Sequence, residues 1–413
     1  MADSKKLKDM YDVIVVGGGP AGSTCATYCA MQGKKVLLVD RAVFPRDKTC
    51  GDATSGKSLE IMKELGIKDT IKGVEHAKIN GVTFSSPKGT VINIESNRKE
   101  KDEPAGIVCR REIFDNLIFQ NTKKYCAVVE GFFVNDVIKE NGFVTGVVGT
   151  DMKTKNKYIF KSKIVVGADG SYSVVANSVG QTNKDTKHQV AAVRAYYDNV
   201  EGMIDQIELH FVEGIIPGYF WIFPLPDKKA NVGIGMVVKD MKEKKINLTK
   251  SMMDIIEKHP VFKDRFKDAK MQGKVKSWFL PLGSARIKTY GNGFLLVGDA
   301  ASLIDPFSGK GIDNSMISGK IAAGVIKEAF EKNDFSDETL KTYQKLLFDE
   351  LGPSLDTSYN LQKWGRNKWL VNFIIDKAKK KPELKQAISD AISDGTKQSQ
   401  FTSPLFYFRM ILT

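Results

Sequence analysis

A chain of 413 residues, at roughly 150 residues per domain, has room for two or three packed units. With 42% hydrophobic and 27% charged residues it fits neither a disordered nor a membrane-embedded chain, and no window offers the 18 or so uninterrupted apolar residues of a spanning helix. The balance of 62 Lys+Arg against 49 Asp+Glu leaves a net charge of +13, which suits a nucleic acid, an anionic membrane, an anionic ligand or a plain solvated surface and does not choose among them.

Met1 to Met10 has no apolar segment before the first strand, so secretion is not expected. Asp12 to Val16 (DVIVV), Gly17-Gly18-Gly19-Pro20-Ala21-Gly22, an Ala-rich stretch to Gly33 and Lys35 to Asp40 (KVLLVD) read as strand, glycine turn, helix and strand. Apolar β-branched runs at Val82–Phe84, Val128–Val134, Val144–Val148 and Ile164–Gly167, separated by Gly and Asn, predict an antiparallel insert within this first unit. From His188 to Gly283 the pattern changes to five strand-like stretches, Gln189–Tyr197, Gln206–Val212, Tyr219–Pro224, Asn231–Val238 and Lys274–Leu282, with a helix near Leu248–His259. Pro226-Asp227-Lys228-Lys229 predicts a hairpin between two of them. The first pattern returns at Gly293–Ala301 and runs into a helix from Ile312 to about Glu331. Helices over Ser336–Leu351 and Leu361–Ala378 and a Phe-rich tail follow. The resulting division is 1–187 and 284–335 for a nucleotide-binding unit, 188–283 for an inserted substrate unit and 336–413 for a helical segment.

Gly17-x-Gly19-x-x-Gly22 follows a strand and opens a helix, with Asp40 at the end of the next strand, 18 residues past Gly22. Gly17 allows the tight turn, Gly19 lets the backbone approach a pyrophosphate, Gly22 lets helix and strand close up, and Asp40 suits ribose hydroxyls. Asp169 in VVGADGS and Asp299 in FLLVGDAA each follow an apolar strand, where an aspartate either holds a ribityl or ribose hydroxyl or merely ends the strand. The five cysteines, at 25, 29, 50, 109 and 126, contain no C-x-x-C pair, and the four histidines are dispersed, so neither a disulfide framework nor a metal site is expected.

Taken in this order, the motifs resemble glutathione-reductase-type flavoproteins of the aromatic hydroxylase branch. Three stretches are similar to the geranylgeranyl reductase family within it. Phe44-Pro45-Arg46-Asp47-Lys48-Thr49-Cys50-Gly51-Asp52 resembles P-x-x-x-x-C-G, Gly218 to Pro224 (GYFWIFP) resembles Y-x-W-x-F-P, and Arg111 to Asp115 (REIFD) resembles a helix start whose arginine reaches the flavin. Two positions depart from the commoner pattern: Asp40, where many relatives carry Glu, and Gly51-Asp52-Ala53, where a second Gly or a Glu is frequent. The resemblance implies an α/β fold, with a Rossmann-type FAD-binding domain, an inserted antiparallel β-sheet substrate domain and a C-terminal helical segment. FAD would be held by Gly17, Gly19, Ala21, Gly22, Asp40, Cys50, Gly51, Arg111, Val134, Asp169, Asp299, Gly311 and Ile312.

The implied activity is saturation of the C=C bonds of polyprenyl lipid chains. The chain would take electrons from NAD(P)H or a ferredoxin-like protein and lie on the inner face of the cell membrane. An isolated alkene has no carbonyl to polarise, so hydride delivery needs a proton at the other carbon, and Cys50 is the candidate donor by position. Tyr219, Trp221 and Phe223 alternate along one strand and would wall an apolar tunnel. Asp305 to Gly311 (DPFSGKG) leads into the helix at Ile312, whose N-terminal N–H groups favour an anionic reduced flavin. Trp364, Trp369, Leu370, Phe373 and Ile374 among Lys363, Arg366, Lys368, Lys377 and Lys379 to Lys381 suit an anionic bilayer surface, and Phe406-Tyr407-Phe408 would join them. The competing readings are an FAD-dependent monooxygenase or halogenase and a quinone-directed electron-transfer flavoprotein. Nucleic-acid binding has no motif behind it.

Overall fold

The computed structural model describes residues 10–96 and 104–393, so the tail aromatic cluster at Phe406 lies outside the described residues. Tyr11–Val16 is buried at every position but Asp12, as a central parallel strand covered on both faces must be. It pairs in parallel with Val36–Asp40 on one side and with Lys157–Gly167 on the other. Ala127–Glu130 and Phe294–Leu296 extend the parallel core outward. Pro20–Met31 packs on this sheet beside Ile312–Lys332, so closely that a Cβ at Gly319 would lie 2.5 Å from the Ala21 carbonyl oxygen.

The expected run Val128–Val134 is two strands. Gly131, at φ +69°, turns the chain between Ala127–Glu130, which joins the parallel core, and Phe132–Glu140, which pairs antiparallel with Phe143–Asp151. That hairpin continues onto the first half of Lys157–Gly167.

A seven-stranded sheet forms the second layer. Its order is Lys270–Pro281, Gln189–Asp198, Ala230–Val237, Tyr219–Pro224, Gln206–His210, Gly81–Ser85 and Val91–Glu95. The expected strands and hairpin from 188 to 283 are therefore present, with the turn closed by Leu225 N–H to Lys229 O at 2.8 Å. Val82–Phe84, however, belongs to this sheet and not to the first unit. It runs parallel to Gln206–His210, with Ser85 beside His210, the one parallel pairing in an otherwise antiparallel sheet. Alternation cannot reveal this, because it reports which faces a strand buries and not its partner. One face of the sheet packs Phe220, Ile222 and Ile234 against the helix Leu248–Lys258 and against Phe262 and Phe266. The opposite face carries Trp221, Phe223 and Leu209 toward the C-terminal helices.

Those helices differ from the expectation. Asp337–Trp364 is continuous through Pro353, where a stop near Leu351 was expected. Proline removes one backbone hydrogen bond at a cost of about 3 kcal/mol. Burying Leu347, Leu351 and Leu355 along one face outweighs that, each leucine contributing about 1.5–3 kcal/mol. Asn367, whose side chain accepts from the Leu370 N–H, starts Lys368–Lys380, and Pro382–Ser393 follows. No helix among the described residues is long and apolar enough to cross a membrane.

Candidate active site

The glycine turn is shaped by exclusion. Gly17 has φ +107° and lies so close to Ala168 that a Cβ would sit 2.3 Å from its carbonyl oxygen. A Cβ at Gly22 would sit 1.8 Å from the Gly17 carbonyl oxygen. At Gly19 the nearest atom to such a Cβ is Arg46 Nη2 at 3.6 Å, so this position opens onto free space. Gly19 caps Pro20–Met31 without a side-chain hydrogen bond, which leaves the first N–H groups of the helix for an anion. Gly17, Gly19, Pro20 and Ala21 line a cavity of about 1500 Å³.

Asp40 also lines it, yet its carboxylate accepts from the N–H groups of Gly18 at 2.6 Å and Ala42 at 2.7 Å. It therefore braces the glycine turn while facing the place expected for ribose. Asp169 and Asp299 reach the same wall with partners of their own. Asp169 accepts from the N–H groups of Val174 and Val175 at the start of Val174–Ser178, and burial holds its carboxyl above the usual value. Asp299 pairs with Lys48 Nζ at 3.0 Å and accepts from the Ser171 hydroxyl at 3.2 Å. Val134, Gly311 and Ile312 complete this part of the lining.

The loop from Phe44 to Asp52 closes the cavity from the other side. Phe44 stacks on Phe119 at 3.8 Å, and Arg46 reaches Asp115 at 2.6 Å. Arg111, expected to touch the cofactor, lines the cavity but makes a bidentate pair with Asp115, at 2.6 and 2.7 Å. Burial opposes both charges, but Arg111 and Arg46 together hold the Asp115 carboxyl below the usual range. Cys50 lines the same cavity, half-buried.

Tyr219, Trp221 and Phe223 share one face, as the strand period requires, and all three line the cavity. Neighbouring ring centroids are 6.2 Å apart. Gly51 lies flat against this wall, where a Cβ would come 2.7 Å from Phe223 Cε2. The Tyr219 hydroxyl donates to the Ser308 carbonyl at 2.6 Å, tying the wall to the loop Asp305–Gly311. Within that loop, the Asp305 carboxylate accepts from the Ser308 N–H and hydroxyl, both at 2.8 Å. Ile312–Lys332 then begins at Gly311 with no side-chain cap.

Four residues in or beside the cavity escaped sequence reasoning. Lys48 sits inside a quoted motif but showed no sign of its partner Asp299. Asp313, in the first turn of its helix, accepts from the Ser55 hydroxyl at 2.8 Å and from the Ser58 hydroxyl, joining two helices under the cavity. Asn231 accepts from the Trp221 indole N–H at 2.9 Å and donates to the Cys50 carbonyl at 2.7 Å and to Asp52 at 2.8 Å. Arg194, 2% exposed, pairs with Asp47 at 2.9 Å and lies 4.1 Å over the Tyr196 ring. An acidic residue in a helix's first turn was a legible signal for Asp313. The pairings of Lys48 with Asp299, of Asn231 with Cys50 and Asp52, and of Arg194 with Asp47 each span more than a hundred positions.

The FAD binding domain family model matches residues 10–345. Digeranylgeranylglycerophospholipid reductase from Methanocaldococcus jannaschii is 33% identical over 347 residues, covering 83% of each chain. A second protein of that name, from Methanococcoides burtonii, is 34% identical over 360 residues, covering 85% of this chain and 83% of its own. The chain belongs to the geranylgeranyl reductase family of FAD-binding flavoproteins. A geranylgeranyl bacteriochlorophyll reductase-like protein from Thermoplasma acidophilum superposes with a TM-score of 0.83 at 26% identity, covering 95% of this flavoprotein and 99% of that chain. The flavin-dependent brominase Bmp2, at 22% identity and a TM-score of 0.79 over 93% and 94%, shares the fold.

The flavoprotein is thus an FAD-dependent oxidoreductase, and the glycine turn, which leaves a side-chain-free wall beside an uncapped helix N-terminus, fits a pyrophosphate. FAD supplies the hydride-transfer chemistry when bound. The Gly17–Gly22 and Asp305–Ile312 backbones, which line the cavity, would hold it, and the Tyr219–Trp221–Phe223 wall would keep water from the other half.

Proposed function

We propose that this flavoprotein saturates C=C bonds in the polyprenyl chains of a membrane lipid or its precursor. The observation that carries the reading is the continuity of the cavity. A single space of about 1500 Å³ exceeds the roughly 300–1000 Å³ of an ordinary small-molecule site. It runs from the glycine turn past Cys50 and the Tyr219–Trp221–Phe223 wall into a mainly apolar reach between the seven-stranded sheet and the C-terminal helices. There Ile92, Ile94, Leu209, Val371, Ile375 and Leu384 line it. A nucleotide cofactor fills one end, and a long apolar chain suits the other. The names of the curated relatives point to the same substrate class.

Lipid delivery is proposed at the outer end. Of the apolar residues expected to meet the bilayer, Trp364, Leu370 and Ile374 line the cavity, and Phe373 is half-buried under Trp369 at a ring distance of 5.2 Å. Trp369 is 67% exposed. Arg366 pairs with Asp240 and Lys368 with Glu213, whereas Lys363, Lys379 and Lys380 are exposed and are the cations proposed to meet the membrane. The helix Lys368–Lys380 thus roofs the apolar reach with one face and offers Trp369 and lysines with another.

The test is to reduce the purified holoprotein anaerobically with dithionite, supply a geranylgeranyl glycerophospholipid and follow its mass. Gains in steps of two hydrogens are expected. An unchanged lipid, with oxygen-dependent modification of an aromatic substrate instead, would overturn the reading in favour of a monooxygenase or halogenase.

A further inference from the structure

Alkene saturation needs an acid beside the hydride acceptor, and the cavity holds a carboxyl group built differently from the others. Asp40, Asp169, Asp299 and Asp305 each receive backbone N–H or cationic partners. Asp52, 0% exposed, has one oxygen held and the other bare. Its Oδ2 accepts from the Tyr196 hydroxyl at 2.7 Å and from Asn231 Nδ2 at 2.8 Å, whereas Oδ1 is buried with no hydrogen-bond partner. A buried carboxylate oxygen without a partner is costly, but a carboxylic acid with its carbonyl on Oδ2 and its hydroxyl on Oδ1 suits this pocket. Asp52 also stands at φ +69°, a left-handed conformation uncommon outside glycine that clusters at functional sites.

Its position is the junction of the two halves of the cavity, which it lines. Cys50 and Arg111 stand on the nucleotide side. On the apolar side Gly51 packs on Phe223, and Asn231 connects Asp52 to the Trp221 indole.

We infer that Asp52 is the catalytic acid that protonates the alkene. The inference rests on the reductase reading above. With a hydride supplied to one alkene carbon by the reduced FAD that the chain would hold, the O–H bond at Asp52 Oδ1 would break, and its proton would form a C–H bond at the other carbon with the π electron pair. The alkene is reduced, FAD is left oxidised, and Asp52 is left as carboxylate. Of the two donors to Oδ2, Tyr196 is partly exposed and Asn231 is buried. Cys50 gives up no proton in this scheme.

The charged and titratable groups facing Asp52 are Arg194 and Tyr196 from Gln189–Asp198, Arg111 from Arg111–Thr122, and Cys109. Burial outweighs the two arginines and lifts the Asp52 carboxyl to about 6.

Infrared spectra of the holoprotein, recorded across pH in H₂O and D₂O, are expected to show a protonated-carboxyl band that titrates near 6 and is missing in Asp52→Asn. A band unchanged in that variant overturns the assignment. In anaerobic single turnover with geranylgeranyl glycerophospholipid, Asp52→Asn should keep FAD, slow saturation at least 100-fold and lose the pH dependence, while Cys50→Ser keeps the wild-type midpoint. Saturation by Asp52→Asn at the wild-type rate overturns the role of Asp52 alone. A wild-type protein that shows the band yet leaves the lipid unreduced overturns the reductase reading, and the donor role with it. Should Asp52→Asn not fold, Tyr196→Phe decides: losing a donor to Oδ2 must raise the infrared and kinetic midpoints together, and an unmoved kinetic midpoint overturns the proposal.

Discussion

At Gly22 the chain has no room for a single methyl group, because the Gly17 carbonyl occupies its place at 1.8 Å. Gly22→Ala must therefore push the helix Pro20–Met31 off the strand before it, and the purified variant is expected to lose most of its FAD, read as the flavin-to-protein absorbance ratio. Asp52 makes a prediction for stability as well as for catalysis. Burial raises its carboxyl from 3.8 to about 6, so the folded state holds the proton more tightly than the unfolded chain. The stability this contributes is fully present below about 3.8 and is lost as pH rises through about 6. Roughly two units at about 1.4 kcal/mol each amount to ~3 kcal/mol. Asp52→Asn cannot titrate, so its unfolding free energy relative to wild type should improve by up to that amount between acid and neutral pH, as denaturant titrations at the two pH values would show.

Among the elements, the strand Tyr219–Pro224 divides its labour by alternation. Phe220 and Ile222 enter one core, while Tyr219, Trp221 and Phe223 face the cavity. Its neighbour Gln206–His210 holds the strand that joins from far upstream. His210 bridges the Ser85 hydroxyl at 2.8 Å and Glu208 at 2.9 Å, and Arg265 clamps Glu208 with bonds of 2.6 and 2.7 Å. Burial opposes the Glu208 charge, but Arg265 and His210 hold its carboxyl below the usual range. Glu208→Gln leaves Arg265 without its counter-charge and should cost on the order of 3 kcal/mol in denaturant unfolding, with FAD binding retained because the nucleotide half lies elsewhere.

At the scale of the whole molecule, strands of more than one sheet and the C-terminal helices enclose the cavity, and no one of them makes it alone. The roof can be tested apart from the FAD site. Val371, buried against the seven-stranded sheet, lines the apolar reach, so Val371→Asp should reduce lipid saturation at least tenfold while FAD remains bound. The proposed membrane contact is separable from both. Trp369→Ala should leave thermal stability unchanged yet lower partitioning onto vesicles rich in phosphatidylglycerol, measured by co-sedimentation. That partitioning should weaken with salt, as expected for a chain of net charge +13.

Residues that act through their neighbours in the chain were legible from the start. The strand, glycine turn, helix and second strand of residues 11–40 depend on short-range sterics: Gly17 needs a positive φ, Gly22 needs to be small, and apolar runs mark the buried strands. The same holds for the alternating Tyr219, Trp221 and Phe223, and for the hairpin at Pro226. What depends on distant pairing was not legible. Periodicity placed Val82–Phe84 on a strand but not in the second sheet, and local propensity stopped at Pro353 a helix that burial of Leu347, Leu351 and Leu355 carries through. Asp52 shows the limit most plainly. Its neighbours in sequence suggest a motif-bound loop residue, whereas its chemistry comes from Tyr196, Asn231 and Arg194, more than a hundred positions away. The sequence determined that a dinucleotide is held and which strand faces it. Tertiary structure alone decided which carboxyl is buried beside that site with an unpartnered oxygen, because burial and electrostatics are properties of the packed whole and not of any segment of it.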